Sequence, residues 1–99
     1  MKSQLQKIQK VFENRIRLGI MSALSVNETL DFNALKELLE LTDGNLATHL
    51  KTLQKHKYVQ TKKQFIENKP NTQYSITPLG KKDFSDHIAA LEKLLHLLK

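Results

Sequence analysis

Two short apolar stripes separated by a brief polar break constrain this chain more than any other feature of its sequence. In the first, Phe32, Leu35, Leu38 and Leu39 fall at i, i+3, i+6 and i+7; in the second, Leu46, Leu50 and Leu53 fall at i, i+4 and i+7. Both spacings place the apolar residues on one side of an α-helix. Glu40-Leu41-Thr42-Asp43 lies between the stripes and reads as a turn, with Thr42 or Asp43 capping the helix that follows, from about Gly44 to His56. Opposite its leucines that helix carries Asn45, Thr48, His49, Lys51, Thr52 and Lys55, a basic and hydrogen-bonding face. Asp31 or Asn33 is placed to cap the first helix, and Thr29-Leu30-Asp31 reads as a single short strand. Two short helices joined by a tight turn, closing a three-helix core, are the pattern of a helix-turn-helix.

The flanks supply the rest of the core. Leu5, Ile8, Phe12, Ile16 and Ile20 recur at spacings of three and four. They predict either one long helix or two helices bent near Glu13-Asn14. Gly19 inside that pattern costs ~1 kcal/mol relative to Ala and marks close helix packing. The pattern closes at Met21, Ala23 and Leu24, and Ser25-Val26-Asn27-Glu28 breaks it. Beyond the central helix, Tyr58 to Thr61 and Gln64 to Ile66 read as strand, Glu67 to Asn71 as a turn, and Thr72 to Thr77 as a second strand. Pro78 opens a last helix capped by Thr77, in which Phe84, Ile88, Leu91, Leu95 and Leu98 repeat at 4-3-4-3. The order predicts one domain over residues 1–99, mainly α with a small β part (α+β): a three-helix core, a β-hairpin wing and a C-terminal dimerisation helix.

Charge and composition narrow the partner. The net charge is +6 and the pI near 9.7, which favours an anionic partner. The charge is segregated: residues 26–42 carry one base against four acids, whereas residues 43–77 carry six bases against two acids. Such blocks suit a one-sided electrostatic footprint. There is no Cys, which excludes a disulfide scaffold, a thiolate metal site and a cysteine nucleophile, and fits a cytoplasmic setting. No stretch approaches the ~18 apolar residues of a membrane helix, and the amino terminus has no apolar run of the signal-peptide kind.

Catalytic and metal chemistry find no support. There is no nucleophile-base constellation, phosphate loop or paired-carboxylate motif, so an enzyme is not expected, and no catalytic residue is named. His49 and His56 lie two helical turns apart, roughly 10 Å along the axis, too far to share one ion. His87 and His96 fall on opposite faces of the last helix. No cofactor or intramolecular metal site is expected. Arg17 reads as surface charge or a partner of Glu13, and Arg15 as a candidate phosphate contact.

Several runs resemble the winged-helix DNA-binding domains related to the MarR and ArsR regulators, and in particular short stand-alone members. They are Arg17 to Leu24, Asp31 to Lys36, Leu41 to Leu53 with its Thr-Asp-Gly-Asn-Leu…His-Leu pattern, Tyr58-Val59, Lys62-Lys63 and Tyr74 to Gly80 with Thr-Pro-Leu-Gly. The resemblance covers roughly residues 14–92. It implies transcriptional regulation, by repression, by a homodimer on double-stranded DNA, with the third helix in the major groove and the hairpin touching backbone or minor groove. On that reading Gly44, Asn45, Thr48 and His49 approach base edges, since Asn pairs with adenine and the Thr methyl meets the thymine methyl. Lys51, Thr52 and Lys55 meet phosphates. The wing contributes Lys62, Lys63, Asn68, Lys69, Asn71 and Thr72. It departs from relatives that carry Arg at the tip, and Lys meets phosphate only as a point charge.

The dimer would be built from residues 1–12 and 79–99, through Leu5, Ile8, Phe12, Phe84, Ile88, Leu91, Leu95 and Leu98. A small-molecule effector, with no added ligand domain, would have to bind at that interface. The competing reading is a winged-helix protein-interaction module without DNA readout. It would show apolar or aromatic residues on the outward face from Asn45 to Lys55, and none is present.

Overall fold

The amino-terminal apolar pattern is not one helix. In a computed structural model that describes residues 2–98, α1 spans Lys2–Lys7, a single 3-10 turn covers Lys10–Phe12, and α2 runs Arg15–Val26. Asn14 makes the break: its side-chain carbonyl accepts from the backbone N–H groups of Ile16 at 2.9 Å and Arg17 at 3.1 Å. A side chain so used caps a new helix and ends whatever precedes it. Of the two readings of this segment, the break near Glu13-Asn14 comes nearer, since α2 starts there, but α1 already ends at Lys7 and the 3-10 turn fills the gap.

The remaining elements follow the expected order: β1 Leu30–Asp31, α3 Phe32–Leu39, α4 Asp43–Lys55, β2 Val59–Ile66, β3 Lys69–Ile76 and α5 Pro78–Leu97. Asp31 caps α3 through a bond from Ala34 N at 2.8 Å. The core gathers Ile20, Met21 and Leu24 from α2, Leu35 from α3, and Leu46, Leu50 and Leu53 from α4. A Cβ on Gly19 would sit 3.2 Å from a Leu39 methyl, so this glycine does mark the close approach of α2 and α3.

The sheet order is β1-β3-β2, all antiparallel, with Leu30 opposite Tyr74 and Val59 opposite Ile76. The hairpin turn is tighter than the turn-forming cluster suggested. Only Glu67 and Asn68 lie outside the strands, both with positive φ (52° and 64°), as a two-residue primed turn requires. Lys69, Pro70 and Asn71 therefore belong to β3, not to the turn. Composition misled here because the outer half of the hairpin extends beyond the core, where burial imposes no apolar alternation.

α5 is locked to the segment between α4 and β2. The Thr77 hydroxyl accepts from Gly80 N at 2.9 Å and donates to the Lys57 carbonyl at 2.7 Å. A Cβ on Gly80 would fall 2.3 Å from the Tyr58 carbonyl oxygen, so only glycine allows this approach. The Tyr58 hydroxyl donates to Asp83 at 2.7 Å, and burial raises its pKa to about 12. Tyr58 also meets Phe12, which packs in turn on Phe84 and His87, with ring centroids 5.1 to 5.3 Å apart.

That aromatic cluster corrects part of the expected dimer face. Phe12 and Phe84 are 1% and 7% exposed and belong to the protomer's own core. Ile88 packs partly buried against it. The reason is the length of α5: its first half lies over the core, and only its last turns run past it, leaving Leu95 and Leu98 71% and 64% exposed. α1 packs on α5, with Leu5 turned outward.

His87 ties this end together. It is 2% exposed, and its Nδ1 accepts from the backbone N–H of Gln9 at 3.0 Å. An accepting Nδ1 requires the neutral ring. Burial pushes its pKa below the usual value, against the opposing pull of Glu13. The unfolded chain thus takes up this proton near pH 6.5 and the folded chain only at lower pH. The stabilisation is complete above about pH 6.5 and declines as pH falls below it. Replacing His87 by Gln keeps an acceptor for Gln9 without a titrating ring. His87→Gln should therefore lose less melting temperature than the wild type between about pH 7.5 and 5.5, followed by circular dichroism. An equal loss in both proteins contradicts this account.

Candidate nucleic-acid interface

The outward face of α4 is produced by what lies under it and at its ends. Glu40 adopts the left-handed conformation (φ 52°, ψ 52°) and ends α3, its N–H donating back to Lys36 and Glu37. The turn is Glu40 to Thr42, one residue shorter than expected, because Asp43 already belongs to α4. Thr42 is the cap, its hydroxyl accepting from Asn45 N at 3.2 Å. Lys36 pairs with Asp43 at 2.8 Å across the turn. Leu46, Leu50 and Leu53 are 0%, 2% and 0% exposed. With those leucines inside, Gly44, Asn45, Thr48, Lys51 and Lys55 are exposed, and His49 and Thr52 are half-buried. Nothing lies within 4 Å of where a Cβ of Gly44 would sit, so packing does not demand a glycine there. The Thr52 hydroxyl donates to the Thr48 carbonyl at 3.2 Å. The only apolar side chain exposed on α4 is Ala47.

Behind this face sits a residue whose place sequence reasoning missed. Arg17, expected at the surface or beside Glu13, is half-buried between α2 and α4. Its Nε donates to the Val11 carbonyl at 2.6 Å, and its Nη1 lies 3.0 Å from His49 Nδ1. Burial first, and the guanidinium second, hold the His49 pKa below its ordinary value. A signal was available: Met21 and Leu24, both buried, lie four and seven residues beyond Arg17, so Arg17 continues an inward helix face. Arg15 is exposed at the start of α2.

The wing carries its polar residues unequally. Lys62 and Lys63 are exposed on opposite faces of β2, facing Gln73 and Thr72 across the hairpin. Asn68 and Lys69 are exposed at the tip, and Thr72 is half-buried. Asn71 differs from the rest. Its amide donates to Asp31 at 3.3 Å and its carbonyl accepts from Gln73, so it braces the wing against the cap of α3. Beside the lysines, Phe65 and Ile66 are 76% and 46% exposed, with Pro70 opposite Phe65. The strand pattern assigned Phe65 and Ile66 to β2 but gave no hint that they would lie in solvent. The wing starts three residues after α4 ends, so both groups of lysines lie on adjoining elements.

Among the described residues, no three His, Asp or Glu side chains converge as metal ligands. No helix among them is long and apolar enough to cross a membrane.

Comparison with known proteins agrees with this geometry. The family described as "Winged helix DNA-binding domain" matches residues 16–95. An uncharacterized protein of Methanocaldococcus jannaschii is 40% identical over 85 residues, spanning 86% of this chain and 92% of its own. The solved structure of a transcriptional regulator homologue from Pyrococcus horikoshii superposes with a TM-score of 0.87 at 30% identity, covering 98% of both chains. The MepR–DNA complex of S. aureus shares the fold, with a TM-score of 0.76 at 15% identity over 95% of this chain and 77% of that one.

The start of α4 depends on Thr42. Thr42→Ala should lower unfolding free energy by about 1 kcal/mol in urea denaturation, the usual cost of a lost N-cap. No change would mean that Asp43 takes over the cap.

Proposed function

We propose, since this chain belongs to the winged helix DNA-binding domain family, that it is a cytoplasmic transcriptional regulator that represses by binding double-stranded DNA as a homodimer. The observation that carries this is the outward face of α4: a rigid helix exposing Asn45, Thr48, Lys51 and Lys55, with no apolar side chain beyond Ala47. A protein-docking face would be expected to carry aromatic or larger apolar groups. A polar face backed by buried leucines suits the major groove, where donors and acceptors distinguish every base pair. The MepR complex, solved with DNA, supports this use of the fold.

In this reading Asn45, Thr48 and His49 approach base edges, and Lys51, Thr52 and Lys55 hold phosphates. The α4 N-terminus adds backbone donors for the same anions. Lys62, Lys63, Asn68, Lys69 and Thr72 bring the wing to the flanking backbone. The exposed leucines at the end of α5, Leu95 and Leu98, with Leu91, Leu5 and Ile8, form the seam between protomers. Two copies then present two α4 helices to successive major grooves, with half-site centres about one turn, ~10 bp, apart.

Selection of bound sequences from random duplex DNA, combined with a monomer–dimer measurement, tests this directly. A pseudo-palindrome and a dimer are expected; no enrichment at low salt overturns the reading. Against the recovered site, Lys55→Ala should weaken specific and random DNA alike and lower the salt slope by about two units, one for each protomer's lysine. Asn45→Ala should relax preference at particular base pairs, by about tenfold at each. Equal losses on both DNAs for Asn45→Ala would remove its role as a base reader.

A further inference from the structure

Arg17 and His49 meet in only one chemical way. A guanidinium carries five N–H donors and no acceptor. The His49 nitrogen that faces it, Nδ1 at 3.0 Å from Nη1, must therefore be the acceptor. An imidazole that accepts at Nδ1 is neutral and carries its proton on Nε2. The guanidinium is not free to swing away. Its Nε is bound to the Val11 carbonyl at 2.6 Å, and its own backbone N–H is held by Asn14 at 3.1 Å. No hydrogen bond among the described residues occupies His49 Nε2, and the ring is half-exposed on α4, one residue beyond exposed Thr48.

We infer that Arg17 sets His49 as a pure hydrogen-bond donor, and that through Nε2–H His49 recognises the acceptor edge of a guanine in the major groove. The choice of base follows from the chemistry. Guanine presents two adjacent acceptors there, N7 and O6, whereas adenine places a donor beside its N7, thymine sets its single acceptor O4 beside the C5 methyl, and cytosine presents a donor alone. A histidine without such a partner exchanges between tautomers, offers donor or acceptor at the same nitrogen, and becomes a cation in mild acid. It would meet any base or phosphate. Burial and the neighbouring guanidinium both disfavour the cation here, which keeps the donor role at neutral pH. Arg17 touches no DNA in this scheme; it is a positioning residue that acts through the ring. This inference rests on α4 being the helix that reads DNA.

The test has one arm without DNA and one with it. In the full chain at neutral pH, nitrogen-detected NMR of the histidine rings should show His49 as the Nε2–H tautomer. In Arg17→Leu it should show a mixture, with the fold retained by its amide spectrum. An Nδ1–H ring or an imidazolium in the wild type overturns the inference. If Arg17→Leu does not fold, the wild-type tautomer still decides this arm. On the sequence recovered by selection, each guanine is replaced in turn by 7-deazaguanine, which lacks N7. One position in each half-site should weaken wild-type binding about tenfold, and His49→Ala should be indifferent to that replacement. His49→Gln, whose amide N–H reaches close to the position of Nε2–H, should keep the sensitivity, and the shorter His49→Asn should lose it. Operator binding with no such position leaves DNA binding intact and removes the role of His49. Absence of binding to any duplex removes both.

Discussion

Leu46, Leu50 and Leu53 hold α4 in a single rotational setting, and the chemistry of the protein's surface depends on that setting. Successive residues on a helix differ by roughly 100° about its axis, so a slip of one residue would bring the leucines out and carry polar residues into the core. Removing one such leucine from a core typically costs about 2–5 kcal/mol, and a whole domain is stable by about 5–15 kcal/mol. The register therefore has no competitor. Asn45, Thr48, Lys51 and Lys55 are outside because three leucines are 2% exposed or less. The polar face is a consequence of packing before it is an instrument of recognition.

The other elements brace that helix from three directions. The Thr42 cap and the Lys36–Asp43 pair determine where it starts. Tyr58, just past its end, is gripped by Phe12, by the Asp83 carboxylate and by the close approach of Gly80. Arg17 ties its middle to the Val11 carbonyl. Asp31 links α3 and the wing, since one of its oxygens caps α3 and the other accepts from Asn71.

Most of this frame was legible in the sequence, and the failures have physical causes. Periodicity located α3, α4 and α5; the sequence offered Asp31 or Asn33 and Thr42 or Asp43 as caps, of which the structure takes Asp31 and Thr42, and it offered Thr77 alone for α5. Strand and turn signals and Pro78 completed the element order, and the family resemblance supplied the expectation of a homodimer on DNA. The dimer face was overread at Phe12 and Phe84, because a stripe reveals that a face is buried, not what buries it. The hairpin turn was drawn too wide, since Lys69-Pro70-Asn71 has turn composition in a stretch where only ladder pairing holds the strand. The intramolecular partners of Arg17 and Asn71 were missed for one reason. Those partners, His49 and Asp31, lie 32 and 40 residues away, and spacing along a chain carries no information about such contacts.

The central claim is that one face of α4, with the adjoining wing, meets duplex DNA. Mapping of backbone amide NMR shifts on addition of a short duplex tests it most directly. The account predicts that the largest changes fall on Gly44 to Lys55 and on Lys62 to Thr72, while the exposed end of α5 from Leu95 to Leu98 stays unchanged. Changes concentrated on α1 and α5, or none at low salt, would contradict it.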